Sequence, residues 1–185
     1  MNLFLESFVR AAVEHMTNKL YTVVFNTNET TEGRAGTALI IKTAFVSLVE
    51  ISKLPLPESR GMIVTGLIRD TSILVIYSMV RNNLERTLPW DSSVDKVFQE
   101  TSSKLANSKI LLLADLNIAS RFTKGVQGCP GTLDQDVYVL NSLCEKYGLK
   151  NLYQAQHPGQ AGYTCQSWGK YRGELTIDYI LTNAE

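Results

Sequence analysis

Long apolar runs are missing from this sequence. No stretch approaches the roughly 20 residues that a membrane-spanning helix needs, and the N-terminus lacks the basic start and apolar run of a secretory leader. A soluble protein is expected. Cysteine is scarce: Cys129, Cys144 and Cys165 are the three present. That odd count suits neither a closed disulfide framework nor paired metal-ligand spacing, so reduced thiols and an intracellular setting are expected. Neither sign of charge is in excess, because 18 Lys plus Arg balance 18 Asp plus Glu. Composition therefore gives no sign of a polyanionic partner, although a local basic face is compatible with a zero sum. Internal repeats, low-complexity tracts and linkers are absent too. What is present is 185 residues, 44% hydrophobic and 19% charged, enough for one globular domain, 1–185, with a sizeable core.

The most informative stretch is Lys109-Ile110-Leu111-Leu112-Leu113-Ala114-Asp115-Leu116-Asn117. Its apolar run reads as a strand buried on both faces. Asp115 and Asn117, two residues apart, should point to the same side where the strand emerges. Open α/β sheets place their ligands at such strand ends. The alternative is that Asp115 opens a turn and Asn117 caps it, since both residue types favour that role.

Before this strand the chain reads as follows. Phe8 to Met16 forms a helix with Phe8, Ala12 and either His15 or Met16 on one side, after a short apolar Asn2 to Leu5 segment, and Glu6 sits at the junction. Tyr21 to Phe25 and Gly36 to Ile41 read as a hairpin with a long loop. Pro55 and Pro57 mark a loop before Met62 to Ile68, and Asp70-Thr71-Ser72 turns the chain into Ile73 to Tyr77. Neither hairpin leaves room for a crossover helix, so this half reads as antiparallel. From Ser92, Val94, Val97, Phe98, Thr101 and Leu105 share a helical face, with Asp91 or Ser93 as cap and Pro89 just upstream.

After it, Ile118 to Gly131 has no period and reads as an irregular loop. Leu133, Val137, Leu140, Cys144 and Tyr147 then mark one buried face of a helix stopped at Gly148. Leu149 to Tyr153, a His157-Pro158-Gly159 turn, Tyr163 to Ser167 and Leu175 to Leu181 complete the chain as strand-like segments. The economical fold class is α+β (layered α/β), with antiparallel strands in pairs and helices outside.

Several segments together resemble the endonuclease/exonuclease/phosphatase superfamily. Leu113-Ala114-Asp115-Leu116-Asn117 resembles its Gly-Asp-Phe/Leu-Asn strand, with Ala114 where Gly is usual. Ile76-Tyr77 resembles its Asn-Ile-Tyr-Ala-Pro-Asn strand, Tyr163-Thr164 its Tyr-Thr-Trp segment, and Ile177-Asp178-Tyr179-Ile180 its Arg/Lys-Ile-Asp-Tyr/His-Ile strand. Phe4-Leu5-Glu6-Ser7 resembles the Leu-Gln-Glu-Thr segment that carries the metal-binding Glu, one residue short, and Gly36 to Ile40 resembles the strand that follows it. Each match is weak alone, but their shared order and family-like gaps are more specific. In spacing the chain is most similar to the endonuclease domain of non-LTR (LINE-type) retrotransposons.

The resemblance implies two packed, mostly antiparallel sheets flanked by helices, as in DNase I. It also implies metal-dependent hydrolysis of a DNA phosphodiester. Such chemistry needs a cation on the phosphoryl oxygens, a positioned water, and donors that strengthen in the transition state. Mg²⁺, with Mn²⁺ as a substitute, fits hard oxygen ligands, and Glu6 is its implied ligand. Asp115 would orient or deprotonate the attacking water, Asn117 would hold the phosphate or that water, and Tyr77 would donate to a phosphate oxygen. Asp178 would orient the imidazole of a catalytic His further on. The implied partners are DNA and a reverse transcriptase domain in a longer parent, working in the nucleus.

The sequence also departs from the family. The closing Ser-Asp-His segment would lie beyond Leu181 and the first strand before Met1, so the domain is expected to be incomplete and weak or inactive. Neither His15 nor His157 stands at the matching place. Val75 and Val80 replace Asn, and Met79 replaces Pro, around Tyr77. Other readings stay open. Glu6 suits a helix first turn, Tyr77 a plain strand position, and Asp178 either a site or a sheet edge, since a buried carboxylate without a partner is costly. Lys170-Tyr171-Arg172 is a solvated hairpin tip or a contact for a nucleic-acid backbone. A non-catalytic relative and a phosphatase of the same superfamily are the competing functions.

Overall fold

The computed structural model describes residues 3–27, 36–57, 60–77, 84–104, 109–118, 133–160, 162–167 and 173–184, some of them by backbone alone. Helix α1 (Leu3–Met16) leads into a hairpin of β1 (Tyr21–Thr27) and β2 (Gly36–Lys42), followed by a 3₁₀ segment over Thr43–Leu48. Strands β3 (Glu50–Lys53), β4 (Gly61–Ile68) and β5 (Thr71–Tyr77) form an antiparallel meander. Helix α2 (Leu84–Lys104) then carries the chain to β6 (Lys109–Asp115), and α3 (Leu133–Tyr147) follows. The remaining elements are β7 (Lys150–Asn151), α4 (Leu152–Gln156), β8 (Cys165–Ser167), β9 (Gly173–Leu175) and β10 (Asp178–Thr182).

Six strands build the main sheet in the order β3-β4-β5-β6-β10-β7. The one parallel pair among the described residues is β5 with β6, the pair that α2 connects, because a parallel neighbour requires a crossover of this length. Strands β1 with β2 and β8 with β9 form two smaller antiparallel sheets. The layered, mostly antiparallel expectation therefore holds. No helix among the described residues is long and apolar enough to cross a membrane.

Periodicity explains the helices that cover the sheet. Val94, Val97, Phe98 and Thr101 of α2 are all buried, as their spacing predicts, while Leu105 lies outside the described residues. Val94, Val97 and Phe98 pack with Leu140, Leu149, Ile110, Leu112, Leu74 and Leu181 in one core cluster. Burying each such side chain contributes about 1.5–3 kcal/mol. Helix α3 ends where expected: Gly148 takes φ 63°, and the Leu149 amide donates to the Cys144 carbonyl at 2.8 Å, the closing bond of a left-handed C-terminal cap. Between the two helices, Asp95 receives bonds of 2.7 Å from Lys146 Nζ and 2.8 Å from the Tyr147 hydroxyl.

The local sequence misleads in five places. Helix α1 begins at Leu3 and takes in the Leu3 to Leu5 segment and Glu6; Val9, Ala12 and Val13 form its inner side, while Phe8 is 63% exposed. Helix α2 starts at Leu84, upstream of Pro89 and of both predicted caps. Leu149 to Tyr153 is a two-residue strand that turns into α4, because the Asn151 Oδ1 accepts the Gln154 amide at 3.2 Å and starts a helix. Leu175 to Leu181 is divided between β9 and β10. Strand β6 is buried on one face: Ile110, Leu112 and Ala114 are covered, while Leu111, Leu113 and Asp115 are half-buried. Its second face opens onto a cleft. The Ile118 to Gly131 loop, apart from Ile118, and the Lys170-Tyr171-Arg172 tip lie outside the described residues.

Candidate active site

Strand register assembles the site. Strands β5 and β6 pair in parallel from Thr71 opposite Lys109 to Tyr77 opposite Asp115. The antiparallel pairing of β10 sets Asp178 opposite the same Asp115. Tyr77, Asp115 and Asp178 thus stand in one row over three adjacent strands, a span of about 10 Å at the usual strand spacing. Side-chain alternation turns Tyr77 and Asp115 away from the faces that bury Ile76 and Ala114. All three line a cleft of about 910 Å³ that also takes in Thr37 of β2.

Where β6 ends, the chain turns sharply. The Leu116 amide donates to the Ile177 carbonyl at 2.9 Å. Asn117 has φ 52°, a left-handed conformation that Asn tolerates through local hydrogen bonding. Its amide donates to Asp115 Oδ1 at 3.0 Å. Asp115 therefore opens a turn and lines the cleft at once, so its two readings coexist. Asn117 is not among the residues lining the cleft. The two-residue rule that aligned it with Asp115 requires extended backbone, which stops at Asp115.

Asp178 is exposed, so the cost of a buried carboxylate does not arise; β7 pairs with β10 only at Leu181 and Thr182, so on that side Asp178 lies beyond the reach of the neighbouring strand and its site and edge readings coexist. The amides of Ile177 and Asp178 both donate to Thr164 Oγ1 at 3.1 Å, and the Thr176 hydroxyl donates to the Gly162 carbonyl at 2.6 Å. These bonds strap the Gly162 to Thr164 segment across the start of β10. Glu6 lies within α1, and its side chain lies outside the described residues.

Arg60 is the residue that sequence reasoning missed. It is buried, its guanidinium sits 4.8 Å from the Tyr77 ring centroid, and its carbonyl accepts the Tyr77 amide at 2.9 Å. No local pattern marks it, because its proximity to Tyr77 arises from the pairing of β4 with β5. Electrostatically, Asp115 holds its proton more tightly than a free aspartate, chiefly because it is partly buried. The Asn117 amide opposes that shift, the charge of Asp178 adds to it, and Arg60 opposes it.

Among the described residues no histidine or cysteine lines the cleft. Its side-chain donors include oxygens of Asp115, Asp178, Tyr77, Thr37 and Thr164, hard ligands that fit Mg²⁺ better than a soft metal. The described residues hold no group of three or more His, Cys, Asp or Glu able to enclose an ion. Mg²⁺ itself keeps several waters and takes one or two carboxylates.

No protein-family model and no curated protein matches the chain. Solved structures do. The 3′-5′ exonuclease NExo from Neisseria meningitidis is 18% identical with a TM-score of 0.66, over 94% of this chain and 70% of that one. The AP endonuclease LMAP from Leishmania major is 14% identical with a TM-score of 0.64, over 89% and 62%. The 3′ phosphatase NExo from Neisseria bound to product DNA hairpin is 18% identical with a TM-score of 0.64, over 94% and 69%. The chain thus spans between 62% and 70% of the length of these structures. At such identities the likeness is one of fold: mixed sheets flanked by helices, in the DNase I-like α/β arrangement.

Proposed function

We propose that the chain hydrolyses DNA phosphodiester bonds with Mg²⁺ or Mn²⁺, in the manner of a non-LTR retrotransposon endonuclease. One observation carries this reading: a hydroxyl and two carboxylates stand in one row, in register, on an open cleft. In this reading Asp115 takes the proton of the attacking water. Its raised proton affinity suits that task, since a general base works best with a pKa near the working pH. Tyr77 donates to a non-bridging phosphate oxygen, its ring held by Arg60. Asn117, from the turn beyond Asp115, acts through its amide, which donates to Asp115 Oδ1 at 3.0 Å, and Asp178 orients the group that returns a proton to the leaving oxygen. Mg²⁺ when bound supplies charge neutralisation at the phosphoryl oxygens, with Glu6 as the residue that would hold it.

Neither His15 nor His157 lines the cleft to protonate the leaving oxygen, and lack of a general acid costs on the order of 10²- to 10⁴-fold in rate. Turnover by this chain is therefore slow. The retrotransposon type rests on the order and spacing of the segments from Glu6 to Asp178, and a reverse transcriptase domain in cis and a nuclear place of work follow from it.

Nicking of supercoiled plasmid tests the reading. Slow nicking that requires Mg²⁺, stops with chelator and disappears in Asp115→Ala is the expected result. A folded protein that never nicks, or an Asp115→Ala variant that nicks as well as its parent, overturns it and leaves a non-catalytic relative. A phosphatase is the second reading, favoured by the similarity to a 3′ phosphatase; release of inorganic phosphate from a 3′-phosphorylated oligonucleotide, without plasmid nicking, selects it.

A further inference from the structure

The cleft is larger than one phosphodiester requires, and part of its wall is aromatic. Tyr153 and Tyr163 line it beside the Tyr77, Asp115 and Asp178 row, and they remain 39% and 38% exposed. A lone exposed aromatic needs no explanation, but these two share a concavity with the candidate chemistry. The Tyr153 ring is also held in place. Helix α4 presents it, the His157 imidazole lies 4.7 Å away between centroids, and a Cβ at Gly162 would come within 2.6 Å of it. A side chain at that position would have to displace the ring, and the Thr176 hydroxyl anchors the Gly162 carbonyl. Tyr163 adjoins Thr164, whose hydroxyl accepts the Asp178 amide, so one short strap joins the aromatic wall to the carboxylate row.

Charge sharpens the argument. No Lys or Arg lines the cleft among the described residues, and two carboxylates do. The described lining residues thus supply no cationic attraction for phosphate, the usual source of nucleic-acid affinity. Stacking of bases on aromatic rings supplies affinity without charge and tolerates any sequence, because every base has a π-face. A volume near 910 Å³ matches pockets that hold a whole small ligand.

We propose that Tyr153, with Tyr163 beside it, is a stacking platform for the nucleobase next to the scissile phosphate. The substrate is then an unstacked nucleotide of a nucleic-acid strand, not a small phosphoester. This rests on the phosphodiesterase reading above.

Fluorescence anisotropy in chelator, which suppresses turnover, separates base from backbone. The full chain is titrated against a labelled ten-residue thymidine oligonucleotide and against a base-free tetrahydrofuran oligomer with the same phosphates. The unmodified chain is expected to bind the base-bearing strand at least five times more tightly. Tyr153→Ala should weaken that binding about five- to hundredfold while leaving the base-free strand unchanged, and Tyr153→Phe should retain it. Equal affinity of the unmodified chain for both strands, or an equal loss on both in Tyr153→Ala, overturns the platform. If circular dichroism shows Tyr153→Ala unfolded, Tyr163→Ala carries the same comparison. Asp115-dependent nicking without base preference removes the platform alone; failure to nick together with failure to bind either strand removes the phosphodiesterase reading as well.

Discussion

Replacing Asp178 by Asn should stabilise the protein while impairing it. Asp178 stands directly opposite Asp115 on the neighbouring strand, and its charge helps raise the proton affinity of Asp115. Like charges directly opposite in an antiparallel pair cost about 0.2–1 kcal/mol, and the exposure of Asp178 lets solvent screen the repulsion toward the lower half of that range. For a chain of this size that is a gain of roughly 0.5–2.5 °C in Tm at neutral pH. The pH dependence has a definite sign. Asp115, with its folded pKa raised, contributes stability that is fully present below the unfolded aspartate value near pH 4 and is lost as pH rises through the folded value. Removing the opposing charge reduces that loss, so the gain of Asp178→Asn should be present at pH 7 and fade by pH 3, as Asp115 takes up its proton and the charge it presents to residue 178 disappears. Thermal melts of the parent and variant between those pH values measure it. A variant no more stable at pH 7, or equally stabilised at pH 3, refutes the claim that the two carboxylates repel each other across the row.

Two further outcomes concern the scaffold. Leu112→Ala empties a position with no solvent exposure in the core cluster and should cost about 2–5 kcal/mol by urea denaturation; a loss below 1 kcal/mol would mean that this face of β6 is not packed as described. Asp95 has its pKa lowered, mainly by its bond from Lys146, with Tyr147 adding to this and burial opposing it. Its stabilising contribution is present above the unfolded aspartate value and is lost as pH falls through the depressed folded value. The Tm deficit of Asp95→Asn should therefore shrink from pH 7 to strongly acidic pH, and a deficit equal at both would show that the charge does not matter.

Much of the scaffold could be read from the amino acids in order, and the reason is periodicity. Helix α2 declares its buried face through Val94, Val97, Phe98 and Thr101, helix α3 its end through Gly148, and the β4-β5 hairpin its existence through two apolar runs around Asp70. Asp115 could be singled out because a carboxylate beside a long apolar run is conspicuous, whereas Asp178 stands out through the resemblance of Ile177-Asp178-Tyr179-Ile180 to a family strand. What local pattern does not encode is which strand lies beside which. That Asp178 would face Asp115 depends on β10 entering between β6 and β7, and the burial of Arg60 against Tyr77 depends on a cross-strand meeting. Asn117 shows a different limit. The alternation rule applied to it assumes a strand that continues, and one left-handed residue cancels it. Helix α1 misled for a third reason: Phe8 is the bulkiest apolar residue nearby, yet the smaller Val9, Ala12 and Val13 fill the spacing that packs.

Dependence on register means that the candidate chemistry is held by residues remote from it. A slip of one residue between β10 and β6 would set Tyr179 opposite Asp115 and turn Asp178 toward the core. Three features oppose that slip. Tyr179 is buried with its hydroxyl donating to the Ile118 carbonyl at 2.6 Å. Leu181 is buried in the same cluster. At the far end of the strand the Thr182 hydroxyl donates to the Ile110 carbonyl at 2.7 Å, and Asn183 Oδ1 accepts the Ile110 amide at 2.6 Å. None of these groups carries the proposed chemistry, yet a slipped strand would leave a buried hydroxyl and a buried amide without their bonds, each costing about 1–3 kcal/mol. The spacing of Asp115 and Asp178 is therefore a property of the core. Substitutions at Tyr179 or Thr182 should impair the site by shifting strands rather than by removing a reacting group.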